Sequence, residues 1–290
     1  MLRTPLPALS LPALLLLCGL SPVLSTPVRA DSFFFSTGDP DGKMAMASRP
    51  ASAVGIEIEA ADDFVLQDET QIDHATFTGL LPVGVALTDI SEVSVEIYRV
   101  FPTDSDTVRT PNVPTRVNSP SDVAFDARDS AAATLSFTTS LLGSFSALNS
   151  VLNGIHPKPN QLTEGEGPVT GQEAAFDVTI ASPFDLPAGH YFFVPQVLLD
   201  SGNFFWLSAP KPIVPPGTPF PSGFSDLQAW IRNEDLAPDW LRVGQDIVGG
   251  TPFPTFNGTF SLEGQVVPEP SAGLLLASGI VGIGLRRRRA

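Results

Sequence analysis

The chain has 290 residues, of which 31 are acidic and 16 basic, with 29 prolines, 24 glycines and one cysteine. Hydrophobic residues make up 43% and charged ones 16%, which excludes a chain kept disordered by low hydrophobicity, and the length suffices for one large β domain or two small ones. Six of the 16 cations lie near the two ends, so the stretch from Asp31 to Glu269 sets 10 basic residues against 31 acidic ones; so negative a surface repels phosphate backbones and excludes nucleic-acid binding.

The first thirty residues open with one basic residue, Arg3, continue in an apolar stretch from Leu6 to Leu20, and close on Val28-Arg29-Ala30. This is the three-part pattern of a secretory signal peptide, and it predicts cleavage by signal peptidase after Ala30. Cys18 lies inside the apolar stretch behind Leu17, where a lipid acceptor needs a small residue. Removal of the signal therefore leaves residues 31–290 without a cysteine, hence without a disulfide, a thiolate metal ligand or a thiol nucleophile.

From residue 31 to 267 strand signals follow one another: DSFFFSTG, ASAVGIEIEA, IDHATFTGLL, VSVEIYRVF, AATLSFTT, EAAFDVTIAS, HYFFVPQVLL, NFFWLSA, LQAWI and FNGTFSLEGQVV. They are short, β-branched or aromatic, and separated by Gly, Pro, Asn and Asp. In VSVEIYRVF, Val93, Val95 and Ile97 take one face and Ser94, Glu96, Tyr98 and Val100 the other. About ten such runs predict an all-β body, an antiparallel β-sandwich of jelly-roll-like type. One short helix is expected at SFSALNSVLNGIH, where Leu148, Val151 and Leu152 would share a face. Three long Pro-rich loops, 101–130, 154–172 and 209–225, are stiff for their length and are the expected contact surface for a ligand.

Candidate chemistry in this body is sparse. His74, His156 and His190 are the only histidines, and no pair has the close spacing of a metal motif. His156, in a loop before Pro157, is the candidate ligand-binding histidine, and His190 reads as a turn or rim residue. Asp39 and Asp41, and Asp104 and Asp106, alternate as oxygen ligands do in calcium loops, although Asp turns of this kind are common; a structural calcium is the one cofactor they suggest. Asp62 and Asp63 stand side by side on a strand and must point to opposite faces, which counts against a catalytic pair between them. No G-x-S-x-G elbow occurs. Trp240, at a loop end beside Pro238 and Asp239, is the candidate aromatic for stacking on a sugar.

The chain closes on Pro268-Glu269-Pro270, an uncharged run SAGLLLASGIVGIGL over residues 271–285, and four arginines, Arg286, Arg287, Arg288 and Arg289. Fifteen helical residues reach roughly 22 Å, short of a hydrocarbon core of roughly 30 Å, so a transmembrane helix here borrows its flanks. The arginines act as a cytoplasmic stop. This order of parts resembles the PEP-CTERM sorting signal, a segment that also carries the label of ice-binding protein C-terminal domain and implies nothing about ice. The resemblance implies recognition of Pro268, Glu269 and Pro270 by exosortase, a membrane-embedded cysteine transpeptidase. It further implies a Gram-negative exporter of polysaccharide and a body displayed at the cell surface. ADDFVL, DLPAGHYFFVPQV and FNGTFSLEG also resemble, in layout, exported bacterial β-sandwiches with such a tail.

The expected organisation is thus a signal peptide (1–30), a β-sandwich body (31–267) and a sorting tail (268–290) with its transmembrane helix over 271–285. The expected function is structural or carbohydrate-adhesive and non-enzymatic, with extracellular polysaccharide as partner. A secreted hydrolase acting on polysaccharide is the alternative.

Overall fold

The computed structural model describes residues 31–52, 55–101, 117–155 and 162–268. Sixteen strands run in chain order. The first eight are β1 (Ser32–Ser36), β2 (Met44–Ala47), β3 (Ile58–Leu66), β4 (Thr70–Leu81), β5 (Ile90–Phe101), β6 (Ser119–Pro120), β7 (Asp126–Asp129) and β8 (Ser136–Ala147). The others are β9 (Asn149–Val151), β10 (Val169–Leu186), β11 (Gly189–Leu199), β12 (Phe205–Ala209), β13 (Trp230–Asn233), β14 (Leu241–Arg242), β15 (Asn257–Gly258) and β16 (Phe260–Val266). A three-residue 3-10 turn (Leu87–Asp89) and a six-residue π turn (Val243–Val248) are the helical elements among the described residues.

Two sheets form. The nine-stranded one is organised on β4, which pairs with β16 and β12 and, on the other flank, with β10; β1 lies outside β16, β8 outside β10, and β2 and β9 beyond β12. The seven-stranded one runs β14-β13-β3-β11-β5-β6, with β7 beside β5. Every pairing is antiparallel except β2 with β9. The sheets share one core because period-two alternation sends one aromatic set inward from each: Phe35, Phe77, Phe176 and Phe260 from the first, Phe64, Tyr191 and Phe193 from the second. Phe193 stacks on Phe260 at 4.9 Å, and Phe77 on Phe176 at 4.7 Å.

The alternation read in VSVEIYRVF holds. Val93, Val95 and Ile97 belong to the shared core, and Tyr98 packs on the opposite side with Trp230 and Trp240. The expected helix does not form: Phe145–Ala147 close β8, and Asn149–Val151 make β9. A helix needed Leu148 and Val151 on one buried face, whereas Leu148 is 74% exposed and Val151 fully buried. The strand wins because β9 pairs with β2 on the side away from β12 and places Val151 in the core.

Candidate functional site

Three places collect polar side chains, and they differ in access. On the outer side of the seven-stranded sheet, Arg232 lies flat against β3 and β5. Its Nε donates to Glu59 Oε2, its Nη2 to Glu59 Oε1 (3.0 Å) and the Tyr98 hydroxyl (2.9 Å), and its Nη1 to the carbonyls of Asp122 (3.0 Å) and Pro238 (3.2 Å). The Tyr98 oxygen is 2.6 Å from Glu59 Oε1 and 2.7 Å from Glu96 Oε2. A phenol has one proton for two carboxylates, an arrangement that favours the neutral form of one of them. Burial, then the charge of Glu59, raises Glu96 to about 7. Burial also pushes Glu57 and the Tyr98 phenol upward.

Trp240 closes this network. Its ring packs edge-on to Tyr98 at 5.3 Å, the Arg232 guanidinium sits 4.3 Å above it, and its Nε1 donates to the Ser121 carbonyl at 3.3 Å. At 1% exposure it offers no face for a sugar ring. The proline-bounded position that suggests a loop-tip aromatic serves to fold Trp240 down as a lid over a buried charge.

A second polar group lies at the strand pair of Asp62 and Asp63. As expected from a strand, the two diverge: Asp62 accepts from Gly258 N–H (3.0 Å) on the inner side, and Asp63 faces His190 Nε2 at 2.5 Å on the outer side. Burial, with the neighbouring Asp63 charge, pushes Asp62 well above the carboxylate range, and burial raises Asp63 to about 6 against the opposing pull of His190. Nearby, Lys211 Nζ reaches Asp226 Oδ1 (2.5 Å), the carbonyls of Asp226 (2.9 Å) and Leu227 (2.5 Å), and Asn257 Oδ1 (3.0 Å). His190 is a rim residue in fact. It borders a cavity of about 380 Å³ with Arg99, Asn118 and Tyr191, and Phe220 and Phe224 pack near its ring.

The third place is open. On the outer side of the nine-stranded sheet the register aligns Phe34 (β1), Glu263 (β16), His74 (β4), Thr179 (β10) and Ser136 (β8) in one row. The next row holds Ser36, Ser261, Thr76, Asp177 and Thr138. His74 Nε2 is 3.1 Å from Asp177 Oδ1 and its Nδ1 is 4.0 Å from Glu263 Oε1; Thr76 and Ser261 share a hydrogen bond of 2.6 Å. Phe34 is 54% exposed. These residues come from five strands far apart in the chain, so only the alternation of each strand, not the row, was available beforehand.

The remaining expected sites divide simply. Asp41 is taken up by its own turn: Oδ1 accepts from the Ser208 hydroxyl (2.5 Å) and Lys43 N–H (3.0 Å), and Oδ2 pairs with Lys43 Nζ at 3.0 Å. Among the described residues no three His, Cys, Asp or Glu side chains converge as a metal site, and Asp39 joins no such group. Ala30, Asp104, Asp106, His156, Glu269, Pro270 and Arg286 to Arg289 lie outside the described residues, as do the expected signal peptide and the run 271–285. Of the Pro-rich loops, 209–225 folds onto the body: Thr218 bonds Ser36 on the free edge of β1, and Ile213 and Phe220 pack against the core.

Both ends of the body meet at one corner. Val266 N–H donates to the Asp31 carbonyl and Val267 N–H to the Glu69 carbonyl, each at 2.8 Å, and Pro268 follows directly. It is here that the chain shows similarity to a known family: residues 266–289 match the PEP-CTERM protein-sorting motif. Such signals are recognised by exosortase, and the motif marks an exported, cell-surface protein. The match concerns sorting and extends to neither the body nor ice. No curated protein and no solved structure matches the chain.

Proposed function

We propose that the chain is a surface protein of structural or carbohydrate-adhesive type whose body, a jelly-roll-like β-sandwich, contacts extracellular polysaccharide through the open face of the nine-stranded sheet. Its signal peptide (1–30) is removed after Ala30, and its tail (268–290) holds it in the membrane by a helix over 271–285 until exosortase acts at Pro268-Glu269-Pro270.

The observation that carries the reading is the row Phe34-Glu263-His74-Thr179-Ser136. An exposed aromatic stands at one end of a strip that carries two hydroxyls, a carboxylate and an imidazole. Sugars present an apolar ring face and a rim of hydroxyls, which such a strip meets by stacking and by hydrogen bonds. The buried carboxylates do not compete for this role, since Glu59, Asp62 and Asp63 lie beneath packed segments.

Retention of the mature body on immobilised extracellular polysaccharide tests the proposal. Phe34→Ala and His74→Ala are expected to lower retention several-fold with an unchanged melting temperature. Undiminished retention in both variants overturns the face. Release of soluble sugars from the same polysaccharide would favour the hydrolase instead.

A further inference from the structure

Both membrane-directed segments leave the fold at one corner, and the chain between that corner and the uncharged run is short. Among the described residues, Val267 makes the last backbone hydrogen bond, to Glu69. The uncharged run begins at Ser271, four residues on. Four residues span at most about 14 Å even when fully extended. The other end is fixed beside it, because Asp31, the residue after the expected signal cleavage, accepts from Val266.

The strands give this corner an opposite end. β4 starts beside it at Thr70 and finishes at Leu81, so Pro82–Thr88 lies about 36 Å away by strand rise. The loop at Asp200–Asn203 shares that far end, since β12 pairs Phe205 with Leu80. At the near end the Gln67–Glu69 turn and the start of β11 are placed together, with Gly189 opposite Leu66. Asp31, Asp68 and Glu69 make the near end acidic and exposed.

We infer that, while the tail is still in the bilayer, the body stands end-on on the lipid surface, with Asp31, Gln67–Glu69 and Val266–Pro268 at the headgroups and Pro82–Thr88 pointing away. This rests on the tail-anchor reading given above. The extended tether is nearly twice the roughly 8 Å Debye length of physiological salt, so repulsion between anionic headgroups and Asp31, Asp68 and Glu69 is largely screened and does not lift the body off the surface. The short tether holds the body at headgroup level, and the cost of dehydrating Asp31, Asp68 and Glu69 keeps it out of the hydrocarbon. Covalent length alone then leaves Pro268-Glu269-Pro270 in the narrow gap between body and bilayer, the place a membrane-embedded peptidase can reach. It also sets the open sheet face upright, free to meet polymer from the side.

Cys18 is the only cysteine, which makes thiol labelling site-specific. The full chain carrying Cys18→Ser and either Asp68→Cys or Val83→Cys is labelled with a fluorophore. It is then reconstituted into phosphatidylethanolamine–phosphatidylglycerol vesicles containing a headgroup nitroxide lipid. Loss of most emission at position 68 with none at position 83 is expected. Equal quenching at the two positions, or the reverse order, overturns the end-on placement while leaving the anchor intact. Failure of the labelled chain to float with the vesicles overturns the tail anchor, and the placement with it.

Discussion

The two outer faces of this molecule have similar beginnings and opposite fates. Each is the solvent side of an antiparallel sheet, and each alternates polar residues outward. On the seven-stranded sheet those outward residues are Glu59, Glu96, Tyr98 and Arg232, and segments around Ser121 and Trp240 fold down over them. On the nine-stranded sheet they are Thr76, Thr138, His74, Asp177 and Glu263, and they stay accessible. Burying a charge costs several kcal/mol unless it is paired, and on the roofed face Arg232 with its five hydrogen bonds supplies that pairing for Glu59. The open face carries no such constraint. It can vary in side chain without threatening the fold, which is the freedom a contact surface needs.

The contrast is broken most sharply by Arg232→Met. It removes the cation that Glu59 requires and leaves a buried carboxylate unpaired, at about 3–5 kcal/mol. By thermal unfolding, a fall in melting temperature of roughly 10 °C is expected; a fall of only a degree or two would mean the roof opens to water. Trp240→Ala is expected to cost a similar amount, about 3–5 kcal/mol, through the cavity it leaves and the exposure of Arg232. Its glycan retention should stay at the wild-type level at temperatures where it remains folded.

Titration sharpens the same comparison. Glu96 and Asp63, raised to about 7 and about 6 by burial, hold protons in the folded state that the unfolded chain releases near pH 4. Stability contributed by these groups is therefore complete below about pH 4 and is lost as pH rises through 6 and 7. A melting temperature that climbs by several degrees between pH 8 and pH 5 is expected, followed by calorimetry across that range. Glu96→Gln should flatten the upper part of the climb; an unchanged slope would show that Glu96 is not the titrating group. The smallest effect belongs to the open face, where Phe34→Ala is expected to shift stability by no more than about 0.5 kcal/mol, measured by urea unfolding. A larger loss would mean that Phe34 is structural and that the two faces are less different than their exposure indicates.

Much of this architecture could be read from the chain. The period-two runs located most strands, VSVEIYRVF showed which of its side chains turn inward, and neighbouring carboxylates at Asp62 and Asp63 had to diverge. SFSALNSVLNGIH misled because its apolar spacing suits a helix and its residues are also acceptable in strands; partnership with β2, a hundred residues earlier, settled the matter. Trp240 misled for a related reason. A tryptophan beside proline looks like a loop tip until the Arg232 charge beneath it is known, and nothing in APDWLRVG announces that charge. Phe34, Glu263, His74 and Thr179 are unremarkable one by one and became a row only through the register of four strands.

What the sequence by itself determined is local and directional: the sorting motif at residues 266–289, the absence of cysteine after residue 30, the acidic balance, and the alternation within each strand. These depend on neighbours in the chain, whose geometry is set by the backbone period. Tertiary structure alone decided which polar residues are sealed under Trp240 and which remain in water, and that both ends leave from one corner. Those outcomes follow from strand register and from loops closing over distant strands, where the desolvation of a single charge outweighs any local preference.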